Sequence, residues 1–315
     1  MNPRKLFSLL SPADLVSIVF LLFLIALNLI FFARVPQWLE LTAINLAVIG
    51  VVFFLAWGAE EKKTRLLKGL HRWYCYLIIL FIFKELYLMV HPIHPTDYDT
   101  VLIAIDHWIF GVNPTQWVSQ FARPVLTEIL QIAYFSYYIL FIILGVELYR
   151  RYAIEDFDKA AFLIVYGFYL SYLGYFSLPG VGPRFTLHDF SMLETELPGI
   201  FLTNTLRAII NAGESIPQLK DHAIDVVQRD VFPSGHTQLT LIVMGLGFRY
   251  KLKSRWVLLT FGSLLILATV YLRYHYVVDL VAGALLAWFT FWTGDRLEVW
   301  WRGMRRRLGG EQKLT

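Results

Sequence analysis

Asp14-Leu15-Val16-Ser17-Ile18-Val19-Phe20-Leu21-Leu22-Phe23-Leu24-Ile25-Ala26-Leu27-Asn28-Leu29-Ile30-Phe31-Phe32-Ala33 opens on one acid and carries no other charge. A helix of about 20 apolar residues covers the roughly 30 Å of a bilayer's hydrocarbon, so this stretch reads as a membrane span. Arg4 and Lys5 precede it and no small-residue cleavage site follows, which fits a first span better than a removed signal peptide. Further apolar stretches lie at 40–58, 73–91, 126–148, 160–179, 236–250, 255–273 and 275–294. The expected fold class is therefore all-α, a polytopic membrane helix bundle of about eight transmembrane helices. The stretch 236–250 is short: at about 1.5 Å per residue it covers roughly 22 Å, so its first turn should lie below the membrane surface.

Composition agrees. Hydrophobic residues make up 57% of the 315-residue chain and charged residues 17%, against about 45–50% and about 25% in ordinary soluble domains. Mean hydropathy is +0.56. A disordered chain, a nucleic-acid-binding domain and a soluble globular enzyme are all poor fits. The net charge of +4 needs no nucleic acid or other polyanionic partner, and the placement of the cations matters more. Of the 28 Lys and Arg, 20 flank the spans on one side, among them Arg4, Lys5, Lys63, Arg72, Arg151 and Arg305. Only 7, including Lys220 and Arg229, fall on the other, and Lys84 lies inside a span. Cations favour the cytoplasmic face, so both termini are expected there, in a plasma membrane. Cys75 has no partner for an intrachain disulfide and reads as a small buried hydrophobe.

Two long connections fall on the far side. In 92–125, an apolar run at 100–110 is opened by Asp97-Tyr98-Asp99 and interrupted by Asp106. It is too short to span, and Trp108 and Trp117 suit a helix lying at the interface. The connection 180–235 opens on the turn-rich Pro179-Gly180-Val181-Gly182-Pro183, and a short helix is expected at 202–210.

Three polar clusters interrupt the apolar pattern, all on the far face: Gly182-Pro183-Arg184, Asp230-Val231-Phe232-Pro233-Ser234-Gly235-His236-Thr237, and Arg273-Tyr274-His275-Tyr276-Val277-Val278-Asp279. In the second, Ser234 can cap a helix whose first-turn N–H groups form a ready site for phosphate. Gly235 lets the backbone approach that anion, and His236 stands where it can give a proton to a leaving oxygen. An ordinary capped helix accounts for the same residues equally well. In the third, His275 and Asp279 are four apart and share a face if both are helical. The carboxylate would then fix the imidazole tautomer and leave the other nitrogen as nucleophile. A purely structural His–Asp pair is the simpler alternative. Arg184 and Arg273 suit phosphate oxygens, though Arg184 alone also reads as a surface cation. Together these residues describe a phosphoryl-transfer site. No Asp/Glu/His cluster has metal-ligand spacing, so neither a metal nor another cofactor is expected.

Pro233-Ser234-Gly235-His236 and His275-x-x-x-Asp279 resemble the second and third signatures of the type 2 phosphatidic acid phosphatase superfamily, and Arg184 resembles the arginine of the first. The resemblance covers roughly 126–294. It implies His275 as a nucleophile that forms a phosphohistidine, Asp279 as its partner, His236 as general acid, and Arg184, Ser234 and Gly235 around the phosphate. The chain departs from the pattern at Ser177 and Phe185, where lysine and proline are usual, and at Thr269, where the arginine before the histidine is usual. Arg273 lies two residues before that histidine instead, and Lys84, beside Glu85, is the candidate replacement for the lysine. Ser234-Gly235-His236-Thr237 and His275-Tyr276-x-x-Asp279 are also similar to the sphingomyelin synthase and inositol phosphorylceramide synthase branch, which implies transfer to a lipid alcohol. The expected function is thus a membrane lipid phosphatase or phosphotransferase acting on a lipid phosphate substrate at the extracytoplasmic face. The rivals are headgroup transfer and, from another class, an anionic-substrate transporter. The expected organisation is N-terminal membrane helices and an interfacial segment (1–125), a phosphatase-like catalytic bundle (126–294) and a basic cytoplasmic tail (295–315). The sequence sets no oligomeric state.

Overall fold

A computed structural model describes residues 3–62, 64–214, 216 and 223–308. Lys63, Lys220 and Lys313 of the cations counted above lie outside the described residues. Every regular element among the described residues is helical. The helices of ten or more residues are α1 (Pro12–Ile30), α2 (Trp38–Glu61), α3 (Arg65–Ile93), α4 (Asp99–Phe110), α5 (Pro124–Phe135), α6 (Tyr137–Arg151), α7 (Ile154–Ser177), α8 (Thr203–Gly213), α9 (Gly235–Arg249), α10 (Arg255–Tyr271) and α11 (Val277–Leu308).

Five of these, α1, α2, α3, α7 and α11, are long and apolar enough to cross a membrane. A sixth span results if α5 and α6 count as one, although they bend by 47° where a single straight span is expected. The break is at Ser136, whose hydroxyl donates back to the Ala133 carbonyl at 2.7 Å, a bond that bends helices. The two remaining stretches form α9 and α10, of 15 and 17 residues. At about 1.5 Å per residue both fall short of the hydrocarbon thickness. By length and composition, the described residues hold five or six candidate spans. The apolar run at 100–110 forms α4, closed by Gly111 in the left-handed region at φ 71°. The helix expected at 202–210 is α8.

The chain forms two compact units that interleave along the sequence. Of the described residues, the first comprises 3–62, 64–93, 152–169 and 288–308. In it α1 packs on α2, and α2 on α3. Ser11 and Asp14 cap α1 reciprocally, with Pro12 in the first turn. Asp14 is fully buried and also accepts from the Tyr74 hydroxyl at 2.5 Å and pairs with His71 Nε2 at 2.9 Å, which ties α1 to α3. The basic stretch expected as a tail is helical as far as Leu308, a continuation of α11.

The second unit comprises 94–151 and 170–287. Its centre is α10 packed on α5 and on α9. Leu130, Tyr134, Leu193, Leu197, Ala268, Leu272 and Tyr274 form its core. Glu128 of α5 fixes the start of α8: its carboxylate accepts the Ile200 and Leu202 N–H groups at 2.9 and 2.6 Å and the Thr203 hydroxyl at 2.6 Å. An acid at a helix N-terminus complements the unpaired donors there.

Candidate active site

All three polar clusters lie in the second unit. Ser234 is the N-cap of α9, its hydroxyl accepting the Thr237 N–H at 3.2 Å. Gly235 is needed for packing: a Cβ there would meet the Tyr175 hydroxyl at 2.5 Å. That cap sends His236 out of the first turn of α9. Its ring lies against Tyr134, with centroids 4.8 Å apart, and against Tyr137 at 4.5 Å.

His275 reaches the same place from the end of α10. That helix closes in a Schellman turn: the Arg273 N–H donates to the Val270 carbonyl at 3.0 Å and the Tyr274 N–H to the Thr269 carbonyl at 2.8 Å. The turn position usually given to glycine is Arg273, at φ 68°. The Thr269 carbonyl also accepts the His275 N–H at 3.0 Å. Thr269 thus shapes this connection through its backbone, whatever its side chain. His275 itself is not helical, contrary to the shared-helix-face reading. α11 begins at Val277 because Asp279, in its first turn, accepts the Tyr276 N–H at 2.8 Å. The His275–Asp279 pairing survives: Nδ1 lies 3.3 Å from Asp279 Oδ2 and 2.9 Å from the Val231 carbonyl.

A carbonyl only accepts, so Nδ1 of His275 carries the proton and Nε2 presents its lone pair. Nε2 lies 3.3 Å from His236 Nδ1, with the two rings 5.5 Å apart and inclined at 61°. Two imidazoles 39 positions apart in sequence therefore meet nitrogen to nitrogen. Burial pushes the His275 pKa well down, and the neighbouring His236 and Arg184 push the same way. We predict that any turnover starting from neutral His275 keeps an acid limb below the ordinary imidazole value of about 6.5. A profile of kcat/KM against pH, corrected for ionisation of the substrate, checks this, and a limb at or above that value contradicts it. The unfolded chain takes up this proton from about pH 6.5 downward while the native ring does not, so stability falls as pH drops through that range.

Arg184 completes the group. It is 4% exposed, and its backbone N–H donates to the Arg273 carbonyl at 3.0 Å, joining the first cluster to the third. Gly182 makes this approach with φ 94°, and a Cβ there would lie 2.9 Å from the Tyr274 carbonyl oxygen. The guanidinium lies 4.6 Å from the Tyr274 ring centroid, and Tyr274 stacks on Tyr134 at 4.2 Å. A continuous stack thus runs from Arg184 through Tyr274 and Tyr134 to His236. One guanidinium nitrogen bonds Glu214, while Nε and Nη1 have no hydrogen-bond partner among the described residues. Such donors are costly to bury unmet and suit an anion.

The profile of the PAP2 superfamily matches residues 100–293, more than half of the chain. The chain belongs to the PAP2 superfamily. Its members are in general phosphoric ester hydrolases. Bacitracin transport permease protein BcrC of Bacillus licheniformis is 33% identical to the PAP2 chain over 87 residues. That match covers 26% of this chain and 41% of the Bacillus protein. No solved structure matches.

The remaining expected residues of this PAP2 chain are placed differently. The side chain of Arg273 bonds Glu196 and, at 3.2 Å, the Ser119 hydroxyl. Burial and the Arg273 charge together push the His188 pKa to about 4. Lys84 lies on α3 in the first unit. Its neighbour Glu85 accepts from the side-chain amide of Asn45 at 2.6 Å. Among the described residues no group of three or more His, Cys, Asp or Glu is arranged to hold a metal ion.

Some contributors were not legible from motifs. The Val231 carbonyl that fixes the His275 tautomer comes from backbone and leaves no residue-type signal. Tyr134 and Tyr137 do leave one, as hydroxyls three apart in an apolar run. The acids of α4 were visible only as interruptions of apolar sequence.

Proposed function

We propose that this protein cleaves a lipid phosphate ester or diphosphate at the extracytoplasmic face of a plasma membrane, through a phosphohistidine on His275. The observation that carries this reading is the His275 Nε2 lone pair 3.3 Å from His236 Nδ1, on a ring whose other nitrogen is held by a carbonyl and a carboxylate. In this reading the phosphoryl group breaks the contact between the two rings and takes its place. Nε2 attacks phosphorus, the bond to the leaving oxygen breaks, and His236 gives that oxygen its proton. Asp279 steadies the charge that develops on His275. His236 then takes a proton from water, whose oxygen bonds phosphorus as the phosphorus–nitrogen bond breaks, which returns His275 to its neutral form and releases phosphate. Arg184, Ser234 and Gly235 surround the phosphate, with Arg273 as a further candidate. Positioning and charge provide most of the rate, as in phosphoryl transfer generally.

The test is a product assay on purified protein with phosphatidic acid, a prenyl diphosphate and phospholipids as donors. Release of inorganic phosphate is the expected result. A new phospholipid formed with ceramide or diacylglycerol present would mean transfer to a lipid alcohol, as in the inositol phosphorylceramide and sphingomyelin synthase branch. No chemical change with any donor overturns the reading. A second reading, carriage of an anionic substrate, draws on the name of the Bacillus relative. Flux of unmodified substrate into sealed vesicles would favour it.

A further inference from the structure

Helix α4 turns an unusual face inward. Asp99, Leu102 and Asp106 are buried, whereas Val101, Trp108 and Ile109 are exposed, Trp108 at 84%. The acids are seven residues apart and so share one side of the helix. The Asp99 carboxylate is 4% exposed and accepts three bonds: the Val181 N–H at 3.0 Å, the Gly182 N–H at 2.8 Å and the Tyr276 hydroxyl at 2.8 Å. The first two donors lie just before Arg184, and the third lies just after His275. Asp106, 1% exposed, accepts the Val277 and Val278 N–H groups at 2.8 Å each, capping the helix on which Asp279 sits. The Tyr98 N–H donates to the Pro179 carbonyl at 2.8 Å, pinning the start of α4 to the same loop. Tyr276 and Thr186 share a hydroxyl contact at 2.6 Å, a second link between the two segments.

We infer that Asp99 and Asp106 are positioning residues: α4 is the frame that holds the Arg184 loop and the His275 loop in mutual register. Two loops joined to one carboxylate cannot drift independently. A misplacement near 1 Å at a reacting group costs on the order of a hundredfold in rate. The acids touch neither histidine, so they act through the backbone that carries Arg184, His275 and Asp279. The inference rests on the proposed phosphatase reading for its kinetic part only.

Asp99→Asn replaces one accepting oxygen by a donor that faces other donors, with little change in shape. With a soluble short-chain phosphatidic acid as substrate, kcat is expected to fall about tenfold to a hundredfold per folded molecule. Tyr276→Phe removes one of the three donors and is expected to give a smaller loss, about threefold to tenfold. Asp97→Asn, which alters the contact with Arg229 beside it, is the control and should stay within about twofold of the parent. The readout free of substrate is the 15N-labelled histidine spectrum, in which the His275 Nδ1–H signal should move in Asp99→Asn and Tyr276→Phe but not in Asp97→Asn. An unmoved signal in folded Asp99→Asn and Tyr276→Phe overturns the inference. So does an unchanged kcat in both against an active parent. A moved signal with no turnover in the parent supports the positioning role and counts only against the phosphatase reading.

Discussion

Replacing His275 by alanine is expected to lower turnover at least about a thousandfold, because in the proposed mechanism the lost group forms the covalent bond rather than assisting it. The fold should tolerate the change, since the Schellman turn and the α11 cap use backbone N–H groups of Arg273, Tyr274 and Tyr276. The informative measurement is phosphoenzyme trapping. Brief exposure to a 32P-labelled donor, followed by denaturation in base, should leave label on the parent protein that acid removes, as for a phosphoramidate. The His275→Ala variant should carry none. Label retained by that variant, or full activity without His275, would reject the mechanism and not merely shift the assignment of one residue.

His236→Ala should show a different pattern. With an alkyl phosphate, whose departing oxygen needs a proton, the expected loss is about a hundredfold to ten-thousandfold. With a nitrophenyl phosphate, which leaves as a stable anion, formation of the phosphoenzyme should be far less affected. A loss equal for both substrates would mean that His236 shapes the pocket rather than donating a proton. The ring lies between Tyr134 and Tyr137, and its Nδ1 faces Nε2 of His275 at 3.3 Å.

The readable part of the fold was whatever follows from a local rule. Twenty apolar residues make a helix of bilayer length, and Ser234 before an apolar run makes a cap. The parts that escaped depend on backbone partners distant in sequence. Nothing in the apolar stretch 126–148 announces that Ser136 will turn its hydroxyl back onto a carbonyl and bend the chain. His275 and Asp279 are four apart, a helical spacing, yet the helix starts between them because Asp106, some 170 residues earlier, holds its first two N–H groups. The meeting of His236 with His275 was an expectation from chemistry, and the ring contact agrees with it. The partners of Arg273 were not, because Glu196 and Ser119 belong to connections with no periodicity to read.

The turn at 272–276 has a consequence for anyone who remodels this chain. Its length is counted out by bonds from successive amides to the carbonyls of Val270 and Thr269. An inserted or deleted residue would rotate the imidazole away from its partner even if every side chain were kept. Grafts and affinity tags are best kept clear of this junction.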